Sequence, residues 1–480
     1  GVVNGQEADA TVFYRSTDGG ATWISMKQPV TRDKDSSNGL TEQGLWPGGQ
    51  FNNAALAIDP TDPNVIYVSG DRQPDNGGDE LFPNSIGAQA YSGRIFRGTY
   101  DPATGTTRWE PLTHVGTNGN SAPHADSRSI FVDSTGRLIQ TDDGGIYALS
   151  NPRGKGDWTP LNGNIQVSEV DASSWNPLAN VAVAGMQDTG TAYQIKGSTV
   201  WGQIYAGDGS ANAVNYRTYE DRGIAVLYGS SQYMGALVRC RMNRDGSVDA
   251  ASTTWLDLYN GGQKLNNNKS EWTFYPSLAL NQADQTRFAV GGYSLFVGRD
   301  DPARLVKSPE TLRIDVTRIV DKSAVTKIEN LGFNSIAYGA KDRPDAILAG
   351  IGDMEYGAKT QKEIDEGSYY GQLWYSDDVN KADPVRLTAF DTAAIGTDGE
   401  TKQPGNAVQT LVFDGKNGSS YFYVSDGTSI WRGTRNDKAS LAEAYDFDRI
   451  SAGLPANFIA RRAVEYVSHN GVNALLAGGL

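Results

Sequence analysis

Apolar residues along this chain come in short runs separated by turns rich in Gly, Asp, Asn and Pro, a spacing that predicts strands and leaves no room for long helices. The runs recur in pairs. Ala54 to Ile58 is followed by Val65 to Val68, Ser129 to Val132 by Leu138 to Gln140, and Val170 to Trp175 by Val181 to Ala184. Five further pairs begin near Ala213, Tyr275, Phe333, Val408 and Ala463, with second runs near Ile224, Phe288, Ala346, Tyr421 and Ala474. Each pair leads into a Gly/Asp turn and an aromatic strand, so the unit is a four-stranded antiparallel sheet repeated every 40 to 65 residues or so. The last unit stops short, and its missing outer strands are supplied by Thr11 to Ser16 and Trp23 to Met26 at the other end. The pattern predicts one all-β domain over 1–480: a closed ring of about eight sheets, seven being the alternative. Residues 1–27 complete the sheet begun at 462–480, which removes exposed sheet edges.

Composition narrows the partners more than it changes the fold. A formal charge of -14 argues against nucleic acid and anionic membranes, and no apolar stretch is long enough to insert into a bilayer. Cys240 is the only cysteine, so no internal disulfide is expected, and its place in Leu237-Val238-Arg239-Cys240 suits strand packing. Gly1 is followed by neither a basic nor an apolar leader segment, which predicts that a signal was removed or that the segment was cut from a longer protein. No P-loop, dinucleotide or zinc motif occurs, so no cofactor is expected to be required. Calcium could be held by acidic turns at Asp71, Asp142, Asp143, Asp188 and Asp208, although no contiguous calcium loop is present.

One segment names the architecture. Ser16-Thr17-Asp18-Gly19-Gly20-Ala21-Thr22-Trp23 matches the S-x-D-x-G-x-T-W signature of an Asp-box, or BNR repeat, a turn between the outer strands of a β-propeller blade. In that turn Ser and Asp bind the backbone, Gly takes positive φ and Trp packs between blades. Asp18 is therefore read as structural, on the face opposite any active site. Together with Thr141-Asp142-Asp143-Gly144-Gly145-Ile146-Tyr147, Gly185 to Thr191 and Gly207-Asp208-Gly209, the chain resembles the Asp-box propellers of the xyloglucanase-like glycosidases and the sortilin-type receptors. This resemblance covers about 100 residues well and the remainder as blade rhythm.

The resemblance implies that Asp142 is a general base, because its turn matches the family's T-D-x-G-G-x-Y, and that Asp208 is the general acid. The second match departs from the family pattern at Ser210, and those hydrolases face two propellers across a cleft where one ring is expected here. Candidate substrate-binding residues on the same loops are Arg72, Tyr91, His124, Asp126, Arg128, Asp143, Gln187 and Asp188, with Tyr356 and Tyr370 on a second long insertion. Three readings stay open: a glycoside hydrolase using an Asp pair, a polysaccharide lyase with a His or Tyr base and Arg beside the uronate, and a non-catalytic module binding carbohydrate or protein. A sialidase would need an Arg triad and a Tyr-Glu pair that the sequence does not place. The expected partner is an extracellular polysaccharide or glycoconjugate, or a protein, met outside the cell or at its surface.

Overall fold

The computed structural model describes residues 13–35, 39–76, 82–165, 167–305, 310–324, 332–352, 372–387, 408–425, 429–436, 440–454, 463–469 and 472–478. By compactness the chain divides into Gly1–Val167 and Ser168–Leu480, and the division leaves whole sheets on both sides.

The first unit holds strands β1 (Phe13–Arg15), β2 (Ile24–Met26), β3 (Thr31–Asp35) and β4 (Gly39–Gln43), which form two hairpins. Two four-stranded meanders follow. One is β5 (Ala55–Asp59), β6 (Asp62–Arg72), β7 (Gly93–Asp101) and β8 (Thr106–Pro111); the other is β9 (Ser129–Val132), β10 (Leu138–Asp142), β11 (Gly145–Leu149) and β12 (Trp158–Pro160). Their first strands, β5 and β9, lie side by side. The core sits between sheets: Val65, Tyr67 and Ile95 of one meander pack on Ile130, Leu138, Leu149 and Trp158 of the next.

The second unit repeats the theme. Its meanders are β13 (Val170–Asn176), β14 (Val181–Met186), β15 (Gly190–Gln194) and β16 (Trp201–Tyr205), then β17 (Gly209–Tyr219), β18 (Ile224–Ser231), β19 (Leu237–Asn243) and β20 (Val248–Asn260). After the short β21 (Gln263–Lys264) come β22 (Ser277–Leu280), β23 (Arg287–Gly291), β24 (Leu295–Arg299) and β25 (Thr311–Val320). Next are β26 (Gly332–Tyr338), β27 (Ile347–Gly352), β28 (Gln372–Ser376) and β29 (Val385–Arg386), then β30 (Thr410–Asp414), β31 (Gly418–Ser425), β32 (Ile430–Arg435) and β33 (Tyr445–Arg449). A final pair is β34 (Ala463–His469) and β35 (Val472–Gly478). Each first strand neighbours the next, β13 with β17, β17 with β22, β22 with β26, β26 with β30 and β30 with β34. Consecutive antiparallel meanders joined through their first strands are propeller blades, so the chain is an all-β propeller. The outer strands β20 and β25 also pair in parallel, with Trp255 opposite Thr311, which joins two blades into one larger sheet.

Among the described residues, seven four-stranded meanders and the β34–β35 pair correspond to the eight repeats read in the sequence, while the expected pairing of the terminal strands is not among the described pairings, which join β1 to β2 and β34 to β35. The strand β1 pairs with β2, and Phe13 and Met26 pack on Ile66, Val68 and Phe96. The strand β34 pairs with β35, and Val464 packs on Val412 and Ile430. In the β1–β2 turn the Ser16 hydroxyl oxygen accepts the Gly20 N–H at 2.8 Å, and Asp18 accepts the Thr22 N–H at 2.9 Å and the Thr22 hydroxyl at 2.6 Å. Gly19 and Gly20 have φ of +70° and +94°. Trp23 departs from expectation: among the described residues it is 57% exposed rather than buried between blades. The reason is local, because Trp23 precedes β2 on a two-stranded sheet whose buried side is taken by Phe13 and Met26.

Candidate functional site

In the first unit, three connections meet at one end of the blades: the loop from β6 to β7, the segment from β8 to β9, and the β10–β11 turn. Backbone hydrogen bonds hold them together, from Asp126 N–H to Asp71 O at 2.9 Å, Ser127 N–H to Gly70 O at 3.2 Å, Gly93 N–H to Pro123 O at 3.0 Å and Arg128 N–H to Thr141 O at 2.8 Å. The approach requires glycine at two places. A Cβ on Gly93 would stand 2.6 Å from His124 O, and one on Gly144 would stand 2.5 Å from His124 Cβ. His124 is thus held between β7 and the Asp142 turn, with Nδ1 3.3 Å from Ala125 O.

Asp142 ends β10 and is only 8% exposed. Its Oδ1 accepts the Gly144 N–H at 2.9 Å, while Oδ2 is buried without a hydrogen-bond partner. Burial pushes the carboxyl up to about 7, against the attraction of His124 and the reach of the Gln140 side chain. A carboxyl with that affinity is about half protonated near pH 7, so its acid form is populated there and can donate a proton. Asp126, in the left-handed region at φ +64°, accepts Asn53 Nδ2 at 2.7 Å and is raised by burial and then by Asp143. Asp143 is bound in bidentate fashion by Arg128, at 2.9 and 3.1 Å. That pairing occupies the Arg128 fork, which a lyase would need for a uronate carboxylate.

Arg72 and Tyr91 form a second cluster on the same connections. The Arg72 guanidinium lies 4.4 Å from the Tyr91 ring centre, and the Tyr91 hydroxyl donates to Asp75 at 3.1 Å. Burial and Asp75 raise the phenol, so it is poorly suited to act as a base. Beneath them Asp71 is fully buried and pushed up to about 6 by desolvation, with Gly48 N–H at 2.8 Å and Gln50 N–H at 3.2 Å on one oxygen. Arg94, also fully buried, donates to Gly44 O, to Gln43 O at 2.6 Å, to Thr31 at 3.0 Å and to Gln73 at 3.3 Å. Burial lowers it to about 10.

Asp208, in the second unit, precedes β17. Its Oδ1 accepts the Asp188 N–H at 3.1 Å and its Oδ2 accepts Gln232 Nε2 at 2.8 Å. Gln187 accepts the Tyr275 hydroxyl at 3.0 Å and donates its N–H to Glu169 O at 3.1 Å. Gln187, Asp188 and Asp208 therefore share one site, while Asp142 belongs to the other unit. Asp171 on β13 joins this second cluster and is pushed up to about 7 by burial, then by Glu169 and Asp208. Tyr356 and Tyr370 lie outside the described residues.

Chain comparisons leave the assignment to these local features. No family model matches the chain, and no curated protein matches it. Among solved structures, it is similar to Saccharomyces cerevisiae Sqt1 at 12% identity, over 90% of this chain and 94% of that one, with a TM-score of 0.37. It is also similar to the β-propeller domain of Myceliophteria thermophila Cps50 (Swd1) at 9% identity, over 83% and 96%, with a TM-score of 0.30. At those scores the fold rests on the strand pairing above.

Two groups at the first site escape the sequence reading. Gln140, fully buried two residues before Asp142, looks like an ordinary strand position, and Ser69 likewise sits inside a strand. In the second unit, Glu169 and Asp171 flank Val170 at the start of β13, where the sequence carries no motif. A polar residue at a strand position that should face inward is the signal that marks Gln140. Among the described residues, no group of three or more His, Cys, Asp or Glu side chains converges in a way that could hold a metal ion. Cys240 is buried on β19, and desolvation pushes its thiol up to about 12. It is inert as a nucleophile.

Proposed function

We propose that the protein is a glycan-cleaving propeller, working outside the cell, in which Asp142 donates the proton to the leaving glycosidic oxygen. The observation that carries this reading is a buried carboxyl, beside His124 where three connections meet, whose proton affinity is raised to about 7. This role is the reverse of the general base that the resemblance implies for Asp142, and it follows from the environment of the side chain. Asp126, Asp143 and Arg128 surround it as polar groups suited to sugar hydroxyls, and the Tyr91 ring, 44% exposed, offers a stacking face. The test is a reducing-end assay across a polysaccharide panel: new saturated ends that disappear in Asp142→Asn support the reading, and cleavage that persists in that variant overturns it.

A second reading is a binding module without chemistry, for which the Arg72–Tyr91 stack is the favouring observation. Tyr and Arg are the residue types that most often anchor protein interfaces. Retention of a protein or glycan without products, lost in Tyr91→Ala and kept in Asp142→Asn, would select it.

A further inference from the structure

Asp142 and Gln140 are two residues apart on β10, so both side chains leave the same face of the strand. They end in two buried acceptors without partners, Asp142 Oδ2 and Gln140 Oε1. The Gln140 side chain lies within hydrogen-bonding reach of the carboxyl. Two acceptors cannot satisfy each other unless a proton lies between them. On its other side Gln140 Nε2 donates to Ser127 Oγ at 3.2 Å, and Ser127 Oγ is 2.6 Å from Ser69 Oγ. Gln140, Ser127 and Ser69 are all buried, and the chain crosses from the second blade to the first.

We propose that Gln140 is the positioning residue of Asp142, and that its amide reverses so that the chain Asp142–Gln140–Ser127–Ser69 stays hydrogen-bonded whether Asp142 carries a proton or a charge. With the acid protonated, Oδ2–H donates to Gln140 Oε1, Nε2–H donates to Ser127, and the Ser127 hydroxyl donates to Ser69. With the acid ionised, the amide turns over. Nε2–H then donates to the carboxylate, the Ser127 hydroxyl donates to Oε1, and the Ser69 hydroxyl donates to Ser127. The amide oxygen and nitrogen are nearly the same size, so the reversal needs no added volume in a closed core. The other groups facing Asp142 are His124, which favours its charge, Asp143, which opposes it, and the Tyr147 phenol on β11.

A carboxyl that gains and loses a proton must be held in both forms, and this chain supports both on the Oδ2 side. Its bearing on cleavage rests on the proposed role of Asp142, but the reversal is read without substrate. The experiment follows the Asp142 carboxyl carbon and the Gln140 side-chain amide by NMR from pH 5 to 9, with selective labels assigned through Asp142→Asn and Gln140→Met. Both signals are expected to titrate with one midpoint. Gln140→Met, which removes the donor to the carboxylate, is expected to raise the Asp142 midpoint by about one pH unit, and Ser127→Ala, which preserves the amide, by less. An amide signal that stays fixed while Asp142 titrates overturns the proposal. So does an unchanged midpoint in Ser127→Ala together with an unchanged or lowered one in Gln140→Met. If no glycan is cleaved while the two signals still titrate together, the switch stands and the catalytic reading falls.

Discussion

Two Asp-Gly turns of the first unit have the same local chemistry and opposite electrostatics. Asp18, in the β1–β2 turn, is fully solvated and accepts an N–H and a hydroxyl from Thr22 and a hydroxyl from Ser16, which hold its carboxyl down to about 2. Asp142, in the β10–β11 turn, accepts a single turn N–H and is desolvated by the segment carrying His124, which raises it to about 7. Position along β6 separates them further. Arg15, just before the first turn, bonds Asn64 near the start of β6, whereas the Asp142 site gathers around Asp71 at its end, about 23 Å of strand away. The Asp-Gly motif fixes a turn, and the environment of the carboxyl decides whether it can do chemistry.

The largest expected effect tests that division directly. Asp142→Asn is expected to lower glycan cleavage by about 100-fold or more, the usual contribution of a general acid, while Asp18→Asn leaves it unchanged. Equal losses in the two variants would erase the distinction.

Stability against pH sharpens it, because the two carboxyls have opposite signs. The folded protein binds the Asp142 proton more tightly than the unfolded chain, so its stabilising contribution is fully present below about pH 4 and is lost as pH rises toward 7. Urea unfolding should therefore find Asp142→Asn more stable than the parent by about 2 kcal/mol at pH 8, after allowing for partial screening by solvent, and equal to it at pH 4. Asp18 acts the other way: its stabilisation is present above about pH 4 and fades as pH falls toward 2. Asp18→Ala is expected to show a smaller loss at neutral pH that shrinks on acidification, read in the same unfolding series. A shared pH direction in both variants would contradict the environments assigned to them.

What the sequence makes legible follows from the range of each interaction. Strand pairs are local, so the eight repeats can be read from runs such as Val65 to Val68 and from turns such as Asp18-Gly19-Gly20, where neighbouring side chains supply all the partners. The turn at Asp142 is legible for the same reason. Its burial is not, because that depends on Gly93 and Gly144 admitting the His124 segment from another connection, and on Ser69 and Ser127 closing over Gln140. The proposed exchange of the expected base for an acid arises at this step, since the motif specifies the turn and only tertiary packing sets the proton affinity.

Trp23 carries the smallest expected effect and the clearest contrast between motif and environment. The Asp-box signature assigns this ring to packing between blades, yet it is largely exposed, whereas Trp158 on β12 fills a core between two meanders of the same unit, with Nε1 donating to Leu112 O at 2.8 Å. If exposure governs, Trp23→Ala changes stability by no more than about 0.5 kcal/mol in thermal or urea unfolding, as ordinary surface substitutions do. Trp158→Ala, by the same measurement, costs about 3 to 5 kcal/mol because it empties a closed core and strips the Leu112 carbonyl of its donor. A cost at Trp23 approaching that at Trp158 would mean that the motif, through a contact made by the ring, governs after all. The first turn would then stabilise the blade through its tryptophan as well as through the Asp18 and Ser16 hydrogen bonds.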